Sequence, residues 1–129
     1  MLCRILTYNI GHITYIRGHT MIEALLGSKN RERVLLFLNV RKEGYAREIS
    51  RFYKTDISQI QKQLERLELG NVIFSKTVGK TRVYSLNPRY PFLDELKALL
   101  QKVLSFYPID ELEKLTHVRT RPRRKGKPL

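Results

Sequence analysis

The feature that most constrains this 129-residue chain is a change of hydrophobic period at Gly70. Before it, ISQIQKQLERLELG carries Ile57, Ile60, Leu64 and Leu67 at steps of 3, 4 and 3. That spacing puts all four on one side of an α-helix, because about 3.6 residues complete a turn. After it, VIFSKTV and TRVYSLN are rich in β-branched and aromatic residues, which suit a pleated, half-buried surface. Gly79-Lys80 between them supplies a tight turn, so residues 72–87 read as an antiparallel hairpin. Gly70 itself suits a left-handed cap at the end of the preceding helix.

Two more helices precede this unit. Ser28 is a helix-capping residue type, and Val34, Leu35, Phe37 and Leu38 make an apolar face over about three turns, ending near Gly44. YAREISRFYK then places Tyr45, Ile49, Phe52 and Tyr53 at helical spacing, and Thr55-Asp56 interrupts the run. Pro88 and Pro91 stop the hairpin. FLDELKALLQKVLSFY forms a further amphipathic helix, and IDELEKL after Pro108 adds one or two turns. The expected fold is therefore α+β, mainly α. Three helices followed by a two-stranded hairpin is the element order of a winged helix-turn-helix, here with an additional C-terminal helix.

Four segments follow from this pattern. Residues 1–27 are an extension in which ILTYNI and ITYIR, parted by Gly11-His12, either form a short hairpin or precede a native start at Met21. Residues 28–91 are the winged helix-turn-helix, residues 92–116 a helical segment for dimerisation, and residues 117–129 a basic disordered tail.

Charge indicates the partner. The chain has 25 Lys and Arg against 12 Asp and Glu, a net of +13, which attracts polyanions. Six of those cations lie in HVRTRPRRKGKPL, as Arg119, Arg121, Arg123, Arg124, Lys125 and Lys127, with no acid among them. Such a tail follows a phosphate backbone or enters a minor groove without reading sequence. The others are better placed. With the Ile57–Leu67 stripe facing inward, Ser58, Gln59, Lys62 and Arg66 occupy the opposite face, with Glu65 and Glu68 expected beside it. Gln matches an adenine edge and Arg makes a bidentate contact with guanine. Arg47, Arg51 and Lys54 on the second helix, with Lys76, Lys80 and Arg82 in KTVGKTR on the hairpin, are expected on the phosphate backbone.

The stretch DISQIQKQLERLELGNVIFSKTVGKTRVYSLNP resembles the recognition helix and wing of ArsR-like and MarR-like winged-helix transcriptional regulators. The likeness is carried by Ser58, Leu64, Leu67 and Val72 and by the strand ending RVYSL. Leu69-Gly70-Asn71-Val72 departs from the family's usual Gly-Leu-Val. The resemblance spans roughly residues 28–105 and implies sequence-specific binding of double-stranded DNA. It also implies a homodimer, paired here through Leu96, Leu99, Leu100 and Val103. AREISRFYK has no Cys, so the metal-sensing motif of some members is missing.

Other classes fit poorly. The lone Cys3 forms no disulfide framework and no CxxC or Cys/His cluster suggests zinc, so neither metal nor cofactor is expected and the compartment is reducing, cytoplasmic. No run of about 18 apolar residues exists, and no membrane partner is expected. His12, His19 and His117 stand apart from any catalytic spacing, and there is no Gly-rich phosphate loop, so an enzyme is not expected. The remaining alternatives are a winged-helix module for RNA or protein, or a non-catalytic subunit of a toxin–antitoxin or nucleotidyltransferase assembly. The sequence does not specify a protein partner for these readings.

Overall fold

Helix α2, Lys29–Arg41, is the element around which the others pack. In the computed structural model, which describes residues 8–10, 13–15 and 21–116, Val34 through Leu38 are all buried. Five consecutive buried apolar residues mean a helix covered on every side rather than along one stripe. Its start is capped by Ser28, whose hydroxyl accepts from the Arg31 N–H at 3.2 Å. It ends at Arg41, three residues before the expected stop, because Lys42 takes a positive φ of 75° while its N–H donates to the Leu38 carbonyl.

The chain then extends as β3, Glu43–Tyr45, which pairs with a strand some forty residues downstream through Gly44↔Tyr84 and Tyr45↔Val83. Gly44 is required there by packing: a Cβ would lie 2.7 Å from Phe37 Cε1. The sequence pattern places Tyr45 in a helix instead, since a three-residue strand has no period of its own to detect. Helix α3, Ala46–Tyr53, begins immediately, with the Tyr45 N–H donating to Glu48 Oε1. It buries Ile49 and leans Phe52 on Phe37, edge to face, with centroids 5.6 Å apart.

A turn at Lys54 and Thr55 leads to α4, Ile57–Leu69, capped by the Asp56 carboxylate and buried through Ile60, Gln63, Leu64 and Leu67. The left-handed position after α4 is Asn71, φ 63°, and not Gly70, whose φ is −86°. The Val72 N–H then donates to the Leu67 carbonyl, turning the chain into the hairpin one residue later than Gly70 would. Strands β4, Ile73–Val78, and β5, Thr81–Leu86, pair in antiparallel register down to Val78↔Thr81. Gly79 makes the tight reversal at φ 67°. The sheet order is β3-β5-β4. The fold is a winged helix.

Helices α5, Leu93–Leu104, and α6, Ile109–Thr116, close the other side of α2. Leu100, Val103, Leu104 and Leu115 belong to the same buried cluster as α2. Two of the four residues expected to pair between chains are therefore spent inside this one: Leu100 is 0% and Val103 5% exposed, because α5 packs on α2. Leu96 and Leu99 are only half-buried. Arg41 fixes α6, donating to the Leu115 and Lys114 carbonyls at 2.8 and 3.4 Å while its guanidinium lies over Phe37 and Phe52.

Ahead of α2 sits α1, Glu23–Leu26, a single turn with no buried residue that the sequence reading did not anticipate. Before it, β1, Tyr8–Ile10, pairs antiparallel with β2, Ile13–Tyr15. No described helix is long and apolar enough to cross a membrane.

Candidate nucleic-acid interface

Ile60 and Leu64 are fully buried, so α4 has a fixed back and its opposite side faces solvent. Ser58, Gln59, Lys62 and Arg66 are all exposed there. The midline of that face is the row Ser58, Lys62, Glu65 and Leu69, which stack at steps of 4, 3 and 4. Glu65 thus lies within the face, correcting the expectation that it sits beside it. Gln59 and Arg66 form one flank and Gln61 the other. Gln61 was missed, although its place four residues after Ile57 and four before Glu65 already put it on the outer edge. Leu69, 84% exposed, ends the row as an apolar tip.

Ser58 is less available than its exposure suggests. Its hydroxyl donates to Asp56 Oδ2 at 3.0 Å, and its N–H donates to Oδ1 at 3.4 Å. The side chain completes the cap of α4, so only its oxygen lone pairs remain for a ligand. Glu68 is turned toward the wing, where its carboxylate accepts from the Ser75 hydroxyl at 2.8 Å and lies 4.0 Å from Arg82.

The structure gathers five of the other expected cations in a second place. Arg47 and Arg51 of α3 and Lys54 just after it line one open cleft together with Lys80 and Arg82 of the wing and Gln61 of α4. All of these are exposed. The same cleft is lined by Asp110, Glu111, Glu113 and Lys114 of α6 and by Glu48 of α3, so acids share it with the cations. Lys76, also exposed, lies on β4 outside this cleft, as do Ser58, Gln59, Lys62 and Arg66. Apart from Lys76, the expected contact residues among those described thus divide into a ridge on α4 and a cleft. The tail cations Arg119 to Lys127 lie outside the described residues.

The α3–α4 turn is braced from α2. Arg33 donates to Thr55 Oγ1 at 3.2 Å and lies over the Tyr53 ring, 5.3 Å from its centroid. Burial raises the pKa of the Tyr53 phenol well above its ordinary 10.0, with the nearby Arg33 charge opposing the shift. Tyr53 is therefore a neutral packing group, and its carbonyl accepts from the Thr55 hydroxyl at 3.3 Å.

No family model matches the chain, and no curated protein matches it. Among solved structures it is similar to an apo mutant of Lactococcus lactis ZitR, at 20% identity and a TM-score of 0.49 over 72% of this chain and 78% of that one. Wild-type ZitR in complex with DNA gives 18% identity and a TM-score of 0.45 over 66% of each chain. A MarR family transcriptional regulator from Silicibacter pomeroyi DSS-3 gives 13% and 0.47, over 65% of this chain and 57% of that one. The chain thus spans less than two thirds of the length of these last two. The assignment of the fold rests on the element order and strand register described above.

Proposed function

We propose that this chain is a sequence-specific double-stranded DNA-binding protein of the cytoplasm, acting as a dimeric transcriptional regulator. The observation that carries this reading is the ridge and cleft together. A helix with a fixed back presents Gln59, Lys62 and Arg66, and cations from α3 and the wing flank it. Helix α4 enters the major groove, where Gln59 and Arg66 reach base edges. Arg47, Arg51 and Lys54, with Lys76, Lys80 and Arg82, neutralise phosphates on either side, and Arg119 to Lys127 add sequence-independent affinity.

The dimer surface of this reading is what α5 leaves uncovered. Phe92 is 61% exposed, and Leu96 and Leu99 half-exposed, which together offer an apolar strip to a second copy. Two-fold pairing places two α4 helices on half-sites about one DNA turn apart, so the target is a pseudo-palindrome.

Selection of bound sequences from a random duplex pool tests the reading, with structured and single-stranded RNA as competitors at two salt concentrations. Enrichment of a palindromic motif supports it. Equal competition by RNA overturns the duplex assignment, and a monomer by light scattering at high micromolar concentration overturns the dimer.

A further inference from the structure

Helix α4 is held from behind by three aliphatic side chains and one amide. Ile60, Leu64 and Leu67 hold it by burial, a non-directional attraction that seats the helix on the core. Gln63 is different. It is 7% exposed, and its Oε1 accepts from Arg31 Nε at 3.0 Å. A hydrogen bond is directional, so this contact restrains the angle of the helix as well as its distance.

Arg31 is itself immobilised. Its Nη1 donates to the Leu26 carbonyl at 2.6 Å, and its backbone N–H donates to the Ser28 hydroxyl. The adjacent Glu32, 0% exposed, accepts from the N–H groups of Met21 and Ile22, each at 2.8 Å. Two consecutive residues of α2 thus grip both ends of α1, which buries no side chain of its own, and one of them reaches across to α4.

We propose that Gln63 and Arg31 are positioning residues for DNA recognition. Their hydrogen bond sets the roll of α4 on the core, and the roll decides which of Gln59, Lys62 and Arg66 meet base edges. This rests on the reading of α4 as the recognition helix. The geometry is demanding. At a side-chain radius of about 6 Å, a roll of about 10° displaces a contact atom by about 1 Å. That is about twice the width of the distance range a hydrogen bond tolerates.

The test compares the full chain with Gln63→Leu, which keeps an apolar body of similar size, and Gln63→Glu, whose carboxylate accepts the same bond. Each is measured for affinity to the wild-type-selected duplex and to a random duplex. Gln63→Leu should lower the ratio of the two by about tenfold or more, the loss of roughly one base contact. Random-duplex affinity should stay within about twofold of wild type, since phosphate contacts carry it. Gln63→Glu should retain the wild-type ratio. In NMR spectra the Arg31 Nε–H should exchange slowly in wild type and Gln63→Glu and rapidly in Gln63→Leu. This readout stands even where a variant binds no DNA.

A Gln63→Leu chain that keeps the wild-type ratio overturns the proposal, as does a Gln63→Glu chain that loses it equally. A wild-type chain that selects no sequence removes the recognition reading and this inference with it, an outcome distinct from either variant result.

Discussion

The outward face of α4 and the tip of the wing are both exposed and cationic, yet they are supported differently. Behind the α4 face, Ile60 and Leu64 are fully buried, so each outward side chain starts from a backbone with little freedom. Along β4, every residue from Lys76 to Val78 is exposed, and so are Gly79 to Arg82 across the turn. Strand pairing holds that tip, joined at Arg82 by the ion pair to Glu68 at 4.0 Å. The helix also mixes signs, with Glu65 between Lys62 and Arg66, whereas Lys76 and Lys80 have no acid in the same stretch. A rigid surface of mixed sign suits discrimination, and a loosely held surface of one sign suits attraction. Under the proposed function, specificity then belongs to α4 and salt-dependent affinity to the wing.

The largest effect should come from removing what supports the rigid side. Leu64→Ala leaves a cavity under α4 and should cost about 2–5 kcal/mol of stability by chemical denaturation. Sequence preference should weaken with it. Next, Arg66→Ala should cost about 1–3 kcal/mol on the preferred duplex and little on a random one, measured by titration. Equal losses on both would move Arg66 to the backbone and erase the contrast. The double variant Lys76→Ala/Lys80→Ala should do the opposite. It should weaken all duplexes alike and flatten the slope of log affinity against log salt by about 1.8, for two phosphate contacts. An unchanged slope would take the wing out of the contact. The smallest effect is expected for Glu65→Gln, which should raise affinity for every duplex by less than about 1 kcal/mol as one repulsive charge is removed. A fall in affinity would instead make Glu65 a base contact, accepting from a cytosine amine.

What the sequence discloses follows from how local its causes are. The α4 stripe, the cap at Ser28 and the reversal at Gly79 each depend on a few adjacent residues, and the structure has them at those positions. Strand β3 depends on β5, so its three residues carry no period. The left-handed residue after α4 falls one place later than expected for a related reason: Gly70 and Asn71 both tolerate that region, and the link to β4 selects Asn71. In the candidate interface, residue types pointed to Gln59, Lys62 and Arg66 on the exposed face. They did not disclose that the Ser58 hydroxyl is engaged by Asp56, or that Arg47, Arg51 and Lys54 share a cleft with the wing. They also did not anticipate that α5 spends Leu100 and Val103 on α2, because burial there is set by tertiary contact.

The two ends of α2 carry a consequence for the order of assembly. Glu32, near its start, accepts from the Tyr107 hydroxyl at 2.8 Å, and Arg41, at its end, caps the carbonyls of Lys114 and Leu115. These contacts close loops of 73 to 75 residues, so both ends of the central helix are completed by segments synthesised well after it. A nascent chain that has released only the winged helix still lacks the hydroxyl for its buried carboxylate and the helix end that occupies Arg41. Final closure of the core therefore waits for α6, whose Leu115 joins the buried cluster around α2.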